Sequence, residues 1–139
     1  MDDRLVLDHS VALLWFQGDY HQQGYATRLR QGMEQGMQAL VPHCWQQDII
    51  DALLHAERSG QIERAHTNQV LALLQRLPIR PAGGHSIHRI SYLLRVTRET
   101  RLCAGKAAYL ELATHENLPL ASVDKALITA AGQLGIRLF

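Results

Sequence analysis

The sequence predicts a single α/β domain, residues 1–139, in which a mostly parallel sheet of about five strands lies between two layers of helices. Short apolar runs bounded by polar residues or turn formers recur along the chain. Segments with the apolar spacing of helices separate these runs, and this alternation favours a parallel sheet covered on both faces, a three-layer α/β/α fold. We find no repeat, low-complexity tract or linker that would divide the chain.

The candidate strands are short apolar runs of four or five residues. They are RLVLD (4–8), ALVP (39–42), LPIR (77–80), RLCA (101–104), LPLA (118–121) and IRLF (136–139).

The clearest candidate helix spans residues 43–60, where Trp45, Ile49 and Ala56 share one stripe and Gly60 is a stop signal. Later segments repeat the helical spacing through three groups of residues: Val70, Leu73, Leu74 and Leu77; Ile87, Ile90 and Leu94; Val123, Leu127, Ala130 and Leu134. The segment CAGKAAYLELA (103–113) also predicts a helix, because Ala, Leu and Glu favour one. Residues 21–38, rich in Gln and Gly, give the weakest helical pattern.

Composition narrows the class of protein. The net charge is only +1, so no large basic field would hold a polyanion at long range. Cys44 and Cys103 are the only cysteines, which indicates free thiols in a reducing compartment. No apolar run is long enough to span a bilayer, and the acidic N-terminus lacks a signal-peptide pattern. We therefore expect a cytoplasmic protein without a membrane partner.

Three aspartates are placed to meet at the carboxyl edge of the sheet, where ligands bind in open parallel sheets. Asp8 ends the first run, Asp124 lies in the first turn after LPLA, and Asp48 lies in the helix after ALVP. We call Asp8, Asp48 and Asp124 the acidic site. Clustered carboxylates favour a hard cation such as Mg²⁺ or Mn²⁺, which could activate water against a phosphodiester. Alternatively, Asp8 and Asp124 are only acids at helix starts.

Lys106 is unusual at its position. It is the first charged residue of the predicted helix 103–113, although helix starts prefer Asp or Glu by a few tenths of a kcal/mol. The carboxyl end of RLCA reaches the same edge as the three aspartates, so we expect an ammonium group beside them.

Four segments together resemble the PIN-domain family, closest to the VapC-type toxins of toxin–antitoxin pairs. They are LVLDHSVALLWF, VPHCWQQDIIDALLHAERSGQI, AAYLELA and LPLASVDKALITAAGQLGI. The resemblance implies a PIN-like fold and a Mg²⁺-dependent endoribonuclease that acts on RNA. It also implies a homodimer held inactive by an antitoxin protein.

The family brings four acids together, and the resemblance maps them onto this chain. The first falls on Asp8, with Ser10 as the hydroxyl that supports the metal or a phosphate. The second, usually Glu, falls on Asp48, one methylene shorter and therefore a weaker metal ligand that could act through water. The fourth falls on Asp124, whereas the third falls on Lys106. We expect this change to reduce the affinity for Mg²⁺ or Mn²⁺.

Two functions follow, and the sequence leaves both open. In the first, the protein is a weakened or altered ribonuclease in which the three acids hold one metal and Lys106 neutralises phosphate charge. In the second, it is a catalytically degenerate PIN module that acts by binding protein or RNA. Lys106 would then pair with Asp8 or Asp124, its ammonium replacing the missing ion.

Other candidates carry less weight. His9 follows Asp8 and could bind a metal or position water, but adjacent side chains point apart. His85 and His88 are spaced for zinc, but no further ligands stand nearby in the sequence. Cys103 is expected in a buried strand as a core residue rather than a nucleophile.

Overall fold

The computed structural model describes residues 3–16, 20–82 and 87–139, with only the backbone described at residues 20–22. Within these ranges the chain forms four strands and seven helices. The strands are β1 (Arg4–Leu7), β2 (Gln38–Val41), β3 (Ile79–Pro81) and β4 (Leu120–Ala121). The helices are α1 (His9–Leu13), α2 (Tyr20–Glu34), α3 (Trp45–Arg58), α4 (Arg64–Arg76), α5 (Ile87–Thr100), α6 (Ala104–Glu116) and α7 (Lys125–Gln133).

The four strands form one parallel sheet in the order β3-β2-β1-β4. In the central pairings, Val6 of β1 lies opposite Leu40 on one side and Leu120 on the other. Helices α1, α3 and α4 contact one another in turn, as do α5, α6 and α7. The predicted α/β class is confirmed, and the arrangement fits three layers, although the sheet has four strands rather than about five.

Strand β1 is an inner strand of the sheet, and its apolar side chains lie in the hydrophobic core. Leu5, Val6 and Leu7 are completely buried, as the continuous apolar run RLVL predicts for a strand covered on both faces. Helix α6 contributes Tyr109 and Leu110 to the same core. Burying a large apolar side chain stabilises the fold by about 1.5–3 kcal/mol. Strand β1 is therefore a rigid support for the residue that follows it, Asp8.

The predicted strand at 101–104 is wrong. Arg101 has a left-handed backbone with φ of 62°, residues 101–103 are irregular, and Ala104 begins α6. This short run connects two helices that pack on each other, so its apolar character reflects partial packing of Leu102 rather than a strand. Cys103 is exposed at the start of α6, which also overturns its predicted place in the core.

In the described residues, the outward N–H groups at both borders of the sheet are either bonded or absent, for a different reason on each side. On the β3 side, the N–H of Ile79 donates to Leu77 O at 2.8 Å, and Pro81 has no N–H. On the β4 side, the predicted strand 136–139 lies alongside but forms a single bridge, between Leu120 and Leu138. Residues 136–139 therefore cover the outer edge of β4 without extending the sheet as a regular strand.

No helix in the described part of the chain is long and apolar enough to cross a membrane.

Candidate acidic site

The fold brings the predicted site residues to one edge of the sheet. Asp8 follows β1 and is the residue before α1, and Asp124 stands at the corresponding position before α7. Asp48 lies in the first turn of α3, the helix that follows β2. Lys106 lies in the first turn of α6. Parallel strands end at a common edge, so short connections place Asp8, Asp48 and Asp124 there. Lys106 follows no strand, since α6 comes after α5, and its side chain reaches the edge through its contact with Asp124.

Asp8 is the buried centre of the acidic site, only 2% exposed. Its Oδ2 accepts hydrogen bonds from Ser10 Oγ at 2.6 Å and from Ser122 Oγ at 2.7 Å. Its Oδ1 lies 3.1 Å from His9 Nδ1. Burial alone would raise the pKa of Asp8, but the bonds from His9, Ser10 and Ser122 outweigh it and hold the pKa below its usual value.

His9 lies between two of the carboxylates, although adjacent side chains were expected to point apart. Its Nδ1 is 3.6 Å from Asp48 Oδ2 and 3.2 Å from the hydroxyl of Tyr109. Burial would lower the pKa of His9, but the bond to Asp8 and the charges of Asp8, Asp48 and Asp124 raise it. The Nδ1 of His9 is therefore already directed at Asp8 and Asp48, which favour its protonated form.

Tyr109 connects α6 to the acidic site. Its hydroxyl donates to Asp48 Oδ2 at 3.0 Å, and burial first, then the charges of Asp8 and Asp48, raise its pKa far above the usual value. The phenol therefore stays protonated and acts as a hydrogen-bond donor. Sequence reasoning missed Tyr109, although its place three residues after Lys106 puts both on one face of α6.

Lys106 pairs with Asp124. Its Nζ lies 2.8 Å from Asp124 Oδ2, with the two side chains 43% and 25% exposed. The other carboxylate oxygen, Oδ1, accepts from the backbone N–H of Leu127 at 3.1 Å and so caps α7. The bond to Asp124 raises the pKa of Lys106. Burial would raise the pKa of Asp124, but Lys106 and the helix N–H groups lower it.

Two serines connect the ends of β1 and β4. Ser10 Oγ accepts from the N–H of Val123 at 3.2 Å, and Ser122 Oγ accepts from the N–H of Asp124 at 3.0 Å. Each hydroxyl also donates to Asp8, so one buried carboxylate organises both connections. Ser122 was also missed, and its signal was its position directly after a strand at the predicted edge.

A divalent cation does not fit the acidic site as it is arranged. Both oxygens of Asp8 and both oxygens of Asp124 already face protein donors, and Asp48 Oδ2 accepts from Tyr109. Among the described residues, no group of three or more His, Cys, Asp or Glu side chains is placed to hold a metal ion. His85 lies outside the described residues, so the proposed pair with His88 has no structural account.

Comparisons with known proteins bear on the fold. The chain matches no protein-family model and no curated protein. Among solved structures it is similar to the crystal structure of PAE2754 from Pyrobaculum aerophilum, with a TM-score of 0.63 and 18% sequence identity. The similarity covers 91% of this chain and 84% of that chain. At this level of identity the likeness supports a shared architecture alone.

Proposed function

We propose that this chain is a VapC-type PIN protein that is catalytically degenerate, and that it binds RNA at the acidic site without efficient metal-dependent cleavage. The observation that carries the proposal is the 2.8 Å contact between Lys106 Nζ and Asp124 Oδ2. The family resemblance places an acid at position 106, beside the divalent ion. Here a protein ammonium supplies positive charge where the family uses a metal.

The charge balance supports this interpretation. Asp8, Asp48 and Asp124 carry three negative charges, Lys106 offsets one of them, and His9 lies against Asp8 and Asp48. An acid at position 106 would instead leave four negative charges, a set that requires a cation. The natural chain therefore needs no divalent ion to hold its carboxylates together.

Lys106 also supports the RNA-binding part of the proposal. Its side chain is 43% exposed and carries positive charge at an edge otherwise dominated by carboxylates. A phosphate of RNA can approach this group, and the pairing of Lys106 with Asp124 reduces the repulsion that the phosphate would otherwise meet. The side chains of Asp8 and Asp124 keep their structural bonds in this state.

Cleavage and binding of RNA test the proposal together. We would incubate a 5′-labelled single-stranded RNA with the natural chain, Lys106→Asp, and Lys106→Asp combined with Asp8→Ala, in Mg²⁺, Mn²⁺ or EDTA. We expect the natural chain to bind without cutting, Lys106→Asp to gain metal-dependent cleavage, and the double variant to lose it. Failure of the natural chain to bind RNA would overturn the proposal.

A weakened nuclease is the second candidate. It is favoured by the convergence of three acids and Ser10 at one edge, with Asp48 still 31% exposed. In that case the natural chain would cut RNA in Mn²⁺, EDTA would stop the reaction, and Asp8→Ala would abolish it. The antitoxin and the homodimer are proposals from the family resemblance. Light scattering on the purified chain tests the dimer.

A further inference from the structure

A second feature opens beside the acidic site. A cavity of about 420 Å³ lies between α2, the start of α7 and the C-terminal residues, within the usual size range of small-molecule pockets. Its lining combines aromatic, aliphatic and polar side chains: Tyr25, Phe139, Ile128, Leu138, Ser122 and Lys125.

The cavity and the acidic site share a wall. Ser122 lines the cavity, and its hydroxyl donates to Asp8 Oδ2 at 2.7 Å. Lys125, which also lines it, directly follows Asp124, the partner of Lys106. An extended ligand that occupies the cavity would therefore lie next to the acidic site, on the other side of Ser122.

The aromatic residues are held in place and remain accessible. The rings of Tyr25 and Phe139 have centroids 6.1 Å apart and are tilted by 54°. The Tyr25 hydroxyl donates to the backbone oxygen of Phe139 at 3.1 Å, while the Phe139 residue is 42% exposed. The Tyr25 phenol is neutral at neutral pH, as an ordinary tyrosine is, and burial raises its pKa further, to about 12.

Positive charge accompanies these rings. Lys125 lines the cavity, and Arg28, one turn along α2 from Tyr25, is near enough to act electrostatically on its hydroxyl. An aromatic platform beside cationic side chains is the arrangement that binds single-stranded nucleic acid, because bases stack on the rings and cations meet the phosphates. A purely apolar peptide would bring no negative charge to pair with Lys125 or Arg28.

We propose that this cavity is a nucleotide subsite, which takes one base of single-stranded RNA against Phe139 and the adjoining phosphate on Lys125. The proposal rests on the proposed function, since it assigns part of the RNA to a position next to the acidic site. It adds a contact to a base, which the acidic site itself does not provide.

Fluorescence anisotropy in EDTA tests the subsite without any requirement for cleavage. The probes are a labelled twelve-nucleotide oligouridine RNA and an abasic phosphodiester oligomer of equal length. We expect Phe139→Leu to weaken binding of oligouridine about 5- to 150-fold, the usual effect of losing one stacked base, and to leave abasic binding unchanged. Tyr92→Leu, which removes a half-buried aromatic ring from α5, is the matched control and should change neither affinity.

The phosphate contact has a separate readout. Lys125→Gln should weaken both probes and lower the slope of log affinity against log salt by about 0.7, the value for one phosphate on a single strand. Arg58→Gln removes the same charge at the far end of α3 and should leave the slope unchanged.

The outcomes separate the subsite from the proposed function. If the natural chain binds oligouridine but Phe139→Leu and Tyr25→Leu bind it equally well, the subsite is wrong and RNA binding stands. Equal binding of both probes by the natural chain also overturns the subsite, because no base contact then exists. If the natural chain binds neither probe, the proposed function and the subsite fail together. Circular dichroism shows whether each variant is folded.

Discussion

Placing an acid at position 106 should create a divalent-cation site beside Asp124. Lys106→Asp removes the 2.8 Å ion pair with Asp124 and places a second carboxylate beside it. Without metal, we expect the variant to be about 1–2 kcal/mol less stable, because it loses a surface ion pair and gains a like-charge contact. Mn²⁺ should reverse that loss.

The magnitude follows from the exposure of the pair. Lys106 is 43% exposed, so the interaction is screened nearly as in water, where two unit charges 4 Å apart interact by about 1 kcal/mol. Replacing a charge of +1 by −1 beside a charge of +2 changes the product of the two charges by four, so the interaction energy changes by about 4 kcal/mol before salt screening. If screening halves this value, the affinity for Mn²⁺ rises by about 30-fold.

Thermal unfolding with and without Mn²⁺ is the direct assay, and isothermal titration calorimetry gives the affinity. At a Mn²⁺ concentration of about 100 times its Kd, the variant should gain about 2.7 kcal/mol, or roughly 8 °C in Tm, whereas the natural chain should gain little. Arg58→Asp makes the same charge change in the last turn of α3, at the other end of that helix from Asp48, and controls for net charge. Equal stabilisation of the natural chain and Lys106→Asp by Mn²⁺ would refute the reasoning.

Three further predictions concern stability, measured by urea denaturation. Asp8→Asn should cost about 2 kcal/mol at pH 7, because Asp8 accepts charge-assisted bonds while 2% exposed. Folding lowers the pKa of Asp8, so its contribution to the free energy of unfolding is present above the unfolded pKa, near 4, and is lost as the pH falls through the folded pKa. The difference in stability between Asp8→Asn and the natural chain should therefore shrink below about pH 4. A difference that stayed constant to about pH 2 would contradict this account. Tyr109→Phe should cost about 1 kcal/mol through loss of the 3.0 Å bond to Asp48, and an unchanged midpoint would show that the bond adds nothing. Glu111→Gln should cost about 2 kcal/mol of stability, because it removes the charge that faces Arg89. Arg89 Nη2 donates to Glu111 Oε2 at 2.6 Å, and the two side chains are only 18% and 12% exposed. A loss below about 0.5 kcal/mol at pH 7 would argue against a structural role for the pair.

The sequence alone was sufficient to group Asp8 and Asp124, because each follows a strand that ends at the same edge of a parallel sheet. Lys106 was placed beside them through a predicted strand at 101–104 that does not form, and α6 brings it there instead. The sequence did not reveal how their charges are satisfied. The bonds of Asp8 come partly from Ser122, which is 114 positions away along the chain, and no local pattern encodes a contact of that range. Whether a metal ion fits the acidic site therefore depends on side-chain geometry, which the sequence does not give.

Apolar spacing predicted helix α5 but not which side of it is buried. Ile87, Ile90 and Leu94 recur at helical intervals, yet they are 73%, 54% and 47% exposed, while Val96 on another side is 1% exposed. Periodicity shows that a helix has an apolar stripe, and the packing of α5 on α6 decides which residues are covered. The error at 101–104 has a similar cause, because four residues are too few to distinguish a strand from a connection between helices.

The lack of free N–H groups along the described residues of the two edge strands affects the tendency of the protein to aggregate at high concentration. Strands at an open edge recruit further chains, and this is a common route to aggregates. Here Pro81 and the internally bonded Ile79 deny one border its amide donors, and residues 136–139 occupy the other. Shortening the chain before residue 136 should uncover the amide of Leu120, and such a truncated protein should precipitate at concentrations where the intact chain stays dispersed.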